Sequence, residues 1–375
     1  IPRVAPYYPH YLEGDVFLKT ESDVPLLRTF SYDTPTPEVH LLSNSRLNVM
    51  VTNSGGGYIR WKDLAVTRFR EDVTCDNTGI FVYIRDLESG GYWSSTFQPV
   101  AKEPERYEAS FLQSKADFKR YDNGIETRTE ITVSPEDDVE LRRIRLINHG
   151  WTERTIEITT YAEVVLLSQT AEELHPIFSN LFIQTHILHE KRAIICTRRS
   201  SSEKEKPPFM FHLVSVHGNI PEKVSYETDR SNFIGRGRSV RNPLAMEGMA
   251  AMKNTDGAVL DPIVSIRFVI SIPPEQTIMF DMVTGVAETR DNAVYLVEKY
   301  KDRNLTDRVF ALAWTHAQVV LRQLNATESD AQIYGSLASS IIYSNSLWRA
   351  IPPVLMKNSR GQADLWGYGI SGDLP

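Results

Sequence analysis

The stretch Asp122-Asn123-Gly124-Ile125-Glu126-Thr127-Arg128-Thr129-Glu130-Ile131-Thr132-Val133-Ser134-Pro135 decides the fold class. Asn-Gly suits a two-residue hairpin loop, because both positions must take positive φ. After it, Ile125, Ile131 and Val133 share one parity and Glu126, Arg128 and Glu130 share the other. That is the pattern of an antiparallel strand with one buried face. Ser134-Pro135-Glu136-Asp137-Asp138 turns the chain. From Val139 to Ile147 the apolar parity flips between Leu141 and Ile144, which predicts a bulge. Asn148-His149-Gly150 turns it again. Ile156, Ile158, Ala162 and Val164 then share a face opposite Glu157 and Glu163. Three sequential strands with short turns predict a meander in an antiparallel sheet.

Working outward, β-type patterning covers Arg106 to Val165. Ile80 to Asp86 reads as a strand, and Glu88-Ser89-Gly90-Gly91 turns it into Tyr92-Trp93-Ser94, a hairpin. Glu38 to Val51 reads as a turn and a strand, with Leu47, Val49 and Val51 alternating against polar neighbours. Residues 1–37, rich in Pro and Tyr, read as an arm lying on a surface. On the other side, Leu181 to Gln184, Ala193 to Thr197, Phe209 to Val216, Ile263 to Ile272 and Thr277 to Thr284 are strand-like. Ser200 to Pro208 is charged and reads as a solvated loop. So many strands suit a large two-sheet sandwich over residues 38–290 better than a small immunoglobulin-like domain. After Asp291 the period becomes helical: Val294, Val297 and Tyr300 come first. Thr306 is then the expected cap of a helix whose Val309, Leu312 and His316 face the sandwich. Thr327 with Asp330 resembles a capping box before Ile333, Leu337, Ala338 and Ile341. Residues 291–357 thus form a helical linker, and Asn358 to Pro375 is a Gly- and aromatic-rich loop.

The chain has 375 residues and a formal net charge of -7. The length allows a large core. The acidic balance argues against nucleic-acid and anionic-membrane partners. Cys75 and Cys196 lie far apart, so no disulfide framework is implied and a reducing, cytosolic compartment fits. The start, Ile1-Pro2-Arg3-Val4-Ala5-Pro6, lacks signal-peptide character, and no apolar run reaches the ~18 residues of a membrane span. Both ends read as cuts through a longer polypeptide.

Three constellations could carry chemistry. The first is Gly55-Gly56-Gly57-Tyr58-Ile59-Arg60-Trp61-Lys62-Asp63. Rings, a guanidinium and a carboxylate beside a glycine turn offer flat faces and directional partners to a polyhydroxylated ligand. The expectation is that Tyr58, Arg60 and Trp61 border a groove with Asp63 close by. The alternative is a tight hairpin with Trp61 in the core and Arg60 paired with Asp63. The second is Gly235-Arg236-Gly237-Arg238-Ser239-Val240-Arg241, in which Arg236 and Arg238 could hold an anion or sugar hydroxyls; an exposed basic loop is the alternative. The third is Gln362 to Asp373, with Trp366 or Tyr368 as a sugar platform and Asp373 as a hydroxyl acceptor. No metal site is expected, since His186 and His189 fall on opposite faces of a strand. No nucleophile elbow, P-loop or dinucleotide fingerprint occurs, and no cofactor is implied.

Several motifs, taken together, resemble a known family. Leu41-Leu42-Ser43-Asn44, Val49-Met50-Val51-Thr52-Asn53, Gly55-Gly56-Gly57-Tyr58, Arg60-Trp61-Lys62-Asp63-Leu64 and Tyr83-Ile84-Arg85-Asp86 are the first group. Phe233-Ile234-Gly235-Arg236-Gly237-Arg238-Ser239, Gly257-Ala258-Val259-Leu260-Asp261-Pro262, Leu312-Ala313-Trp314-Thr315-His316 and Leu365-Trp366-Gly367-Tyr368-Gly369 are the second. In this order they resemble glycoside hydrolase family ninety-four, formerly glycosyltransferase family thirty-six. Within it, they are similar to the phosphorylase-like region of bacterial cyclic β-1,2-glucan synthases. The resemblance implies a mainly β chain with some α: an antiparallel β-supersandwich of galactose-mutarotase-like type, linker helices, then the start of an (α/α)₆ barrel. It implies a glucan or glucooligosaccharide ligand, with inorganic phosphate as co-substrate of the parent enzyme, and contact with the rest of the parent polypeptide. That parent could be an inner-membrane protein, with this part cytosolic. The family's general acid lies deeper in the barrel, so this stretch is expected to bind or scaffold rather than catalyse. Two alternatives stay open: a mutarotase-like sugar enzyme, which needs a His/Glu pair in a sandwich cleft, and a structural module that pairs protomers as a homodimer.

Overall fold

The structure, a computed structural model, describes residues 3–6, 26–343 except 73, 201–205, 219–220 and 249, and residue 357. Its strands are, in chain order, β1 (Arg3–Pro6), β2 (Leu26–Phe30), β3 (Val39–Ser43), β4 (Leu47–Thr52), β5 (Gly57–Trp61), β6 (Leu64–Thr67), β7 (Phe81–Asp86), β8 (Tyr92–Ser94), β9 (Arg106–Leu112), β10 (Lys115–Asp122), β11 (Ile125–Val133), β12 (Val139–Asn148), β13 (Arg154–Ser168), β14 (Ile183–Leu188), β15 (Ala193–Arg198), β16 (Phe209–His217), β17 (Glu222–Asp229), β18 (Gly257–Ala258), β19 (Pro262–Ile272) and β20 (Thr277–Ala287). The helices are α1 (Gln169–Leu174), α2 (Pro176–Asn180), α3 (Arg230–Ile234), α4 (Arg290–Lys299), α5 (Arg303–Gln323) and α6 (Glu328–Ile342).

Two antiparallel sheets stack face to face. The larger has the order β1-β2-β9-β10-β11-β12-β20-β16-β15-β14-β18. The smaller has the order β17-β19-β13-β6-β5-β4-β3, with β7 also pairing β13 and β8 pairing β7. The Asn-Gly reading holds: Asn123 and Gly124 take φ of 50° and 80°, and Asp122 faces Ile125 across the hairpin. The inward residues of both sheets make the main core, including Val49, Ile59, Ile131, Ile144, Ile158, Phe268 and Phe280. Leu26–Phe30, expected within a surface arm, is instead a strand paired with β9, and its Leu27 and Phe30 are buried.

Two expectations about the central stretch change. The parity flip in β12 is no bulge, because Val139 to Ile147 pairs residue by residue with Gly285 to Thr277. Both faces of β12 are buried instead. Ile144 and Leu146 join the inter-sheet core. Val139 and Leu141 pack outward with Leu296, Val297, Tyr300 and Val309 of the covering helices. Nor do β11, β12 and β13 form a meander. β12 pairs with β20, while β13 crosses to the smaller sheet and pairs with β19, β7 and β6. The Asn148 side chain braces that crossing, donating to the Thr152 and Ile272 carbonyl oxygens at 2.8 and 3.0 Å.

The helices have their own logic. Asp302, not Thr306, caps α5 by accepting from the Asn304 amide. Thr306 lies inside the first turn, where its hydroxyl donates to Asp281 at 2.8 Å and accepts from Arg143 at 2.6 Å. The expected capping box of Thr327 and Asp330 is present in α6. Yet α6 turns its apolar residues outward: Ile333 and Ile341 are 57% and 82% exposed. Small and polar residues face the sandwich. Gly335 leaves room for the Arg28 guanidinium, which a Cβ would meet at 2.5 Å. Ser339 Oγ accepts from the Val39 amide at 2.8 Å. The stretch expected to begin a barrel lies outside the described residues.

Candidate functional site

The three-glycine turn is shaped by its own surroundings. Gly55 and Gly57 have φ of 98° and 151°, in the region that favours glycine. A Cβ on Gly57 would sit 2.0 Å from the Met50 carbonyl oxygen, and one on Gly56 would sit 2.6 Å from Asp76 Oδ1. Asp76 is therefore wrapped by the turn. Its carboxylate accepts from the hydroxyls of Thr52 at 2.6 Å, Ser54 at 2.5 Å and Tyr343 at 2.7 Å. Burial raises its pKa despite these three donors.

β5 then sorts the quoted residues by parity. Ile59 and Trp61 point inward, and Tyr58 and Arg60 point outward. Trp61 is 7% exposed and part of the inter-sheet core, with Nε1 donating to Asp138 at 2.7 Å. It cannot offer its ring face as a platform, and the expectation that it borders the groove is corrected. Asp63 sits exposed at the tip of the β5–β6 hairpin beside Lys62, whose φ is 52°. It does not line the cavity described next, and it is not the partner of Arg60.

Tyr58 and Arg60 do come together. The Arg60 guanidinium lies 4.4 Å from the Tyr58 ring centroid and donates to Gln169. They border an open cavity of about 250 Å³, with Phe69, Arg70, Glu71, Gln169, Glu173 and Ile342 as its other walls. Gln169 donates onward to Glu173 at 2.6 Å. Beneath, Arg70 grips Glu172 with both Nη atoms at 2.6 and 2.7 Å. Arg68 reaches Glu163 at 2.5 Å and Asn180 at 2.9 Å, and Arg230 joins Glu163 at 2.9 Å. Burial alone would raise the pKa of Glu163, but Arg68 and Arg230 outweigh it and hold the carboxyl below its usual range. Asp261, at 3.5 Å from both Arg68 and Arg230, completes a network of three guanidiniums and three carboxylates behind the Arg70 wall, and the forked Arg70–Glu172 pair fixes the orientation of Arg70.

Arg236 and Arg238 lie elsewhere. The segment from α3 to Met246 caps the outer face of β7 and β13 through Phe233, Ile234, Val240 and Met246. Tyr83 anchors it by donating to the Val240 carbonyl at 2.6 Å. Arg238 pairs with Glu247 at 2.6 Å, and Arg236 is exposed. Neither lines the Tyr58–Arg60 cavity. Trp366, Tyr368 and Asp373 fall outside the described residues. A second cavity, about 150 Å³, lies between α5 and the β3 edge, where His316 and Val320 approach Leu41 and Leu42.

The family model described as glycosyl hydrolase 94, supersandwich domain, matches residues 26–303. The chain belongs to this family. It is 33% identical over 338 residues to the cyclic β-(1,2)-glucan synthase NdvB of Rhizobium meliloti (strain 1021), a match covering 90% of this chain and 12% of that protein. It is 25% identical over 303 residues to an N,N'-diacetylchitobiose phosphorylase of Vibrio proteolyticus, covering 76% of this chain and 35% of that one. Solabiose phosphorylase of Paenibacillus borealis is 22% identical over 272 residues, covering 71% and 34%. The chain therefore spans between 12% and 35% of the length of these relatives.

Within this glycosyl hydrolase 94 sandwich, His–carboxylate pairs among the described residues are His149–Glu126 at 3.0 Å and His217–Asp281 at 2.7 Å. Neither pair lines either cavity. Asp281 is also held by Arg143 and Thr306, and against the effect of burial His217, Arg143 and Thr306 bring its pKa to about 2. Among the described residues, no helix is long and apolar enough to cross a membrane. Sequence reading missed Gln169 and Glu173. Their signal was Ser168 followed by Gln169, Glu172 and Glu173, a polar helix start directly after an apolar strand.

Proposed function

We infer that this chain is a carbohydrate-binding and scaffolding part of a β-1,2-glucan synthase or an inverting glucan phosphorylase, whose catalytic general acid lies outside it. The Tyr58–Arg60 cavity carries the reading. Its volume of about 250 Å³ falls just under the ~300–1,000 Å³ of pockets that take drug-sized ligands, which leaves room for one pyranose ring. Tyr58 and Phe69 supply ring surface for C–H faces. Arg60, Gln169 and Glu173 supply donors and acceptors for hydroxyls. The lining sets Arg60 and Arg70 beside Glu71 and Glu173, and Arg70 is already neutralised by Glu172, so no net positive charge is left to select an anion over a neutral sugar. The named activities of the relatives, a β-glucan synthase and disaccharide phosphorylases, point to the same ligand class. Inorganic phosphate would enter as co-substrate of the parent reaction, and the larger polypeptide would be this chain's structural partner.

Isothermal titration with β-1,2-glucooligosaccharides tests the reading. The chain should bind, and Arg60→Ala should weaken binding about tenfold or more, as expected for a lost hydrogen bond to a charged group. Its melting temperature should stay near that of the parent chain. Absence of binding by the unaltered chain, or full affinity in Arg60→Ala, would overturn it.

A further inference from the structure

We propose that occupancy of the Tyr58–Arg60 cavity and docking of α6 are thermodynamically coupled: a saccharide in the cavity clamps the linker helix onto the sandwich, and an undocked helix leaves the cavity open on one side. The inference rests on the glucan-binding reading and concerns the regulation of the same site.

Four observations carry it. Ile342, the last residue of α6, is itself a wall of the cavity. The next residue, Tyr343, is fully buried and donates its hydroxyl to Asp76 at 2.7 Å, the carboxylate that the three-glycine turn encloses. A continuous run of side chains joins this latch to the cavity: Tyr343 meets Phe69 edge-on at 6.2 Å, Phe69 meets Tyr58 at 5.1 Å, and Tyr58 carries Arg60. Finally, the rest of α6 is held mainly by polar rather than apolar contacts. Gly335 lies against Arg28, Ser339 bonds Val39 and Glu38, Glu328 accepts from Gln318 of α5 and Gln332 is buried, while Ile333, Leu337 and Ile341 face outward.

An element that buries little apolar surface opens at low free-energy cost. α6 is such an element, and its docked state contributes to the cavity while its undocked state does not. A ligand touching Ile342 therefore has the differential affinity that a population shift requires. By linkage, whatever holds α6 down must also raise affinity for that ligand.

Hydrogen–deuterium exchange and isothermal titration on the whole chain and on Tyr343→Phe test this. The substitution keeps the ring against Phe69 and removes only the hydroxyl that holds Asp76. In the unaltered chain, saturating β-1,2-glucooligosaccharide should slow amide exchange across Gly335–Ile342. Tyr343→Phe should speed exchange there and weaken binding by about 5–150-fold, the usual span of allosteric coupling. If the unaltered chain binds but exchange in α6 is unmoved by ligand, the coupling is wrong and the binding reading survives. That comparison needs no variant, so poor folding of Tyr343→Phe cannot shelter the idea; unchanged affinity in a folded Tyr343→Phe also overturns it. If the unaltered chain binds no oligosaccharide, the binding reading fails and the coupling falls with it.

Discussion

The outer face of β12 and β20 is sealed by α4 and α5, whereas the outer face of β5 and β6 is only partly covered, by α1 and the last turn of α6. The first face carries Val139, Leu141 and Val283, and the helices bring Leu296, Val297, Tyr300 and Val309 down onto them. Apolar groups gain by excluding water, which draws the two surfaces together. The second face carries Tyr58 and Arg60, with Phe69 just past the end of β6, and α1 meets them with Gln169 and Glu173. Polar groups can be satisfied by each other, by water or by a ligand, and nothing drives such a surface to close completely. One sheet face is therefore closed and the other left open, and the choice is made by which residue types occupy alternate positions of a strand.

Trp61 offers the sharpest way to break this comparison, because it shares a strand with Tyr58 and Arg60 but belongs to the sealed part. Trp61→Ala should cost about 3–5 kcal/mol in chemical denaturation, as for other large buried aromatics. Glucooligosaccharide affinity at temperatures where the variant is folded should not change. Lost affinity with intact stability would move Trp61 to the open side. On the sealed face, Leu296→Ala should cost about 2–5 kcal/mol; a change within ~0.5 kcal/mol, typical of surface positions, would mean that α4 does not close that face.

Two buried histidines sharpen the same contrast through pH. His212 lies between the sheets, hydrogen-bonded to Thr160 and Thr284 at 2.9 Å each. Burial, with Arg142 nearby, takes its pKa down to about 3; burial and Arg28 do the same to His40. In the unfolded chain both titrate near 6.5. Below that pH the unfolded state takes up protons that the folded state refuses, so stability is present above about pH 6.5 and falls as pH drops. The loss is up to ~1.4 kcal/mol per pH unit for each histidine. Urea unfolding between pH 6.5 and 4.5 should show this slope, and His212→Gln should remove one histidine's share. An unchanged slope would mean that His212 is charged, and the interior there is wet.

Much of the sandwich was legible from residues alone, because strand parity and turn chemistry are local. Asn123-Gly124 specified its hairpin, and Leu47, Val49 and Val51 lie in the core as their alternation predicts. Partner choice is not local. Nothing within Asn148 to Arg154 says that β13 leaves its neighbour for the opposite sheet, since that depends on where β19 and β20 lie, more than a hundred residues on. The flip in β12 looked like an irregularity because its second buried face needs α4 to explain it. The site was half legible for the same reason. Tyr58 and Arg60 are neighbours on one strand face, so proximity in sequence was enough. Parity alone should have sent Trp61 the other way. Gln169, Glu173 and Ile342 arrive from distant segments and could be placed only by the fold.

A strand buried on both sides has no permissive side for sequence drift. Along β5 the exchange of Tyr58 or Arg60 is constrained by whatever the cavity holds, while Ile59 and Trp61 are constrained by packing. The two pressures can change independently. Along β12 they cannot, since Leu141 answers to α4 and Ile144 to the opposite sheet within four residues. A change at Tyr58 or Arg60 can therefore reshape the cavity without disturbing the core, whereas a change along β12 disturbs either the inter-sheet packing or the helices that cover it.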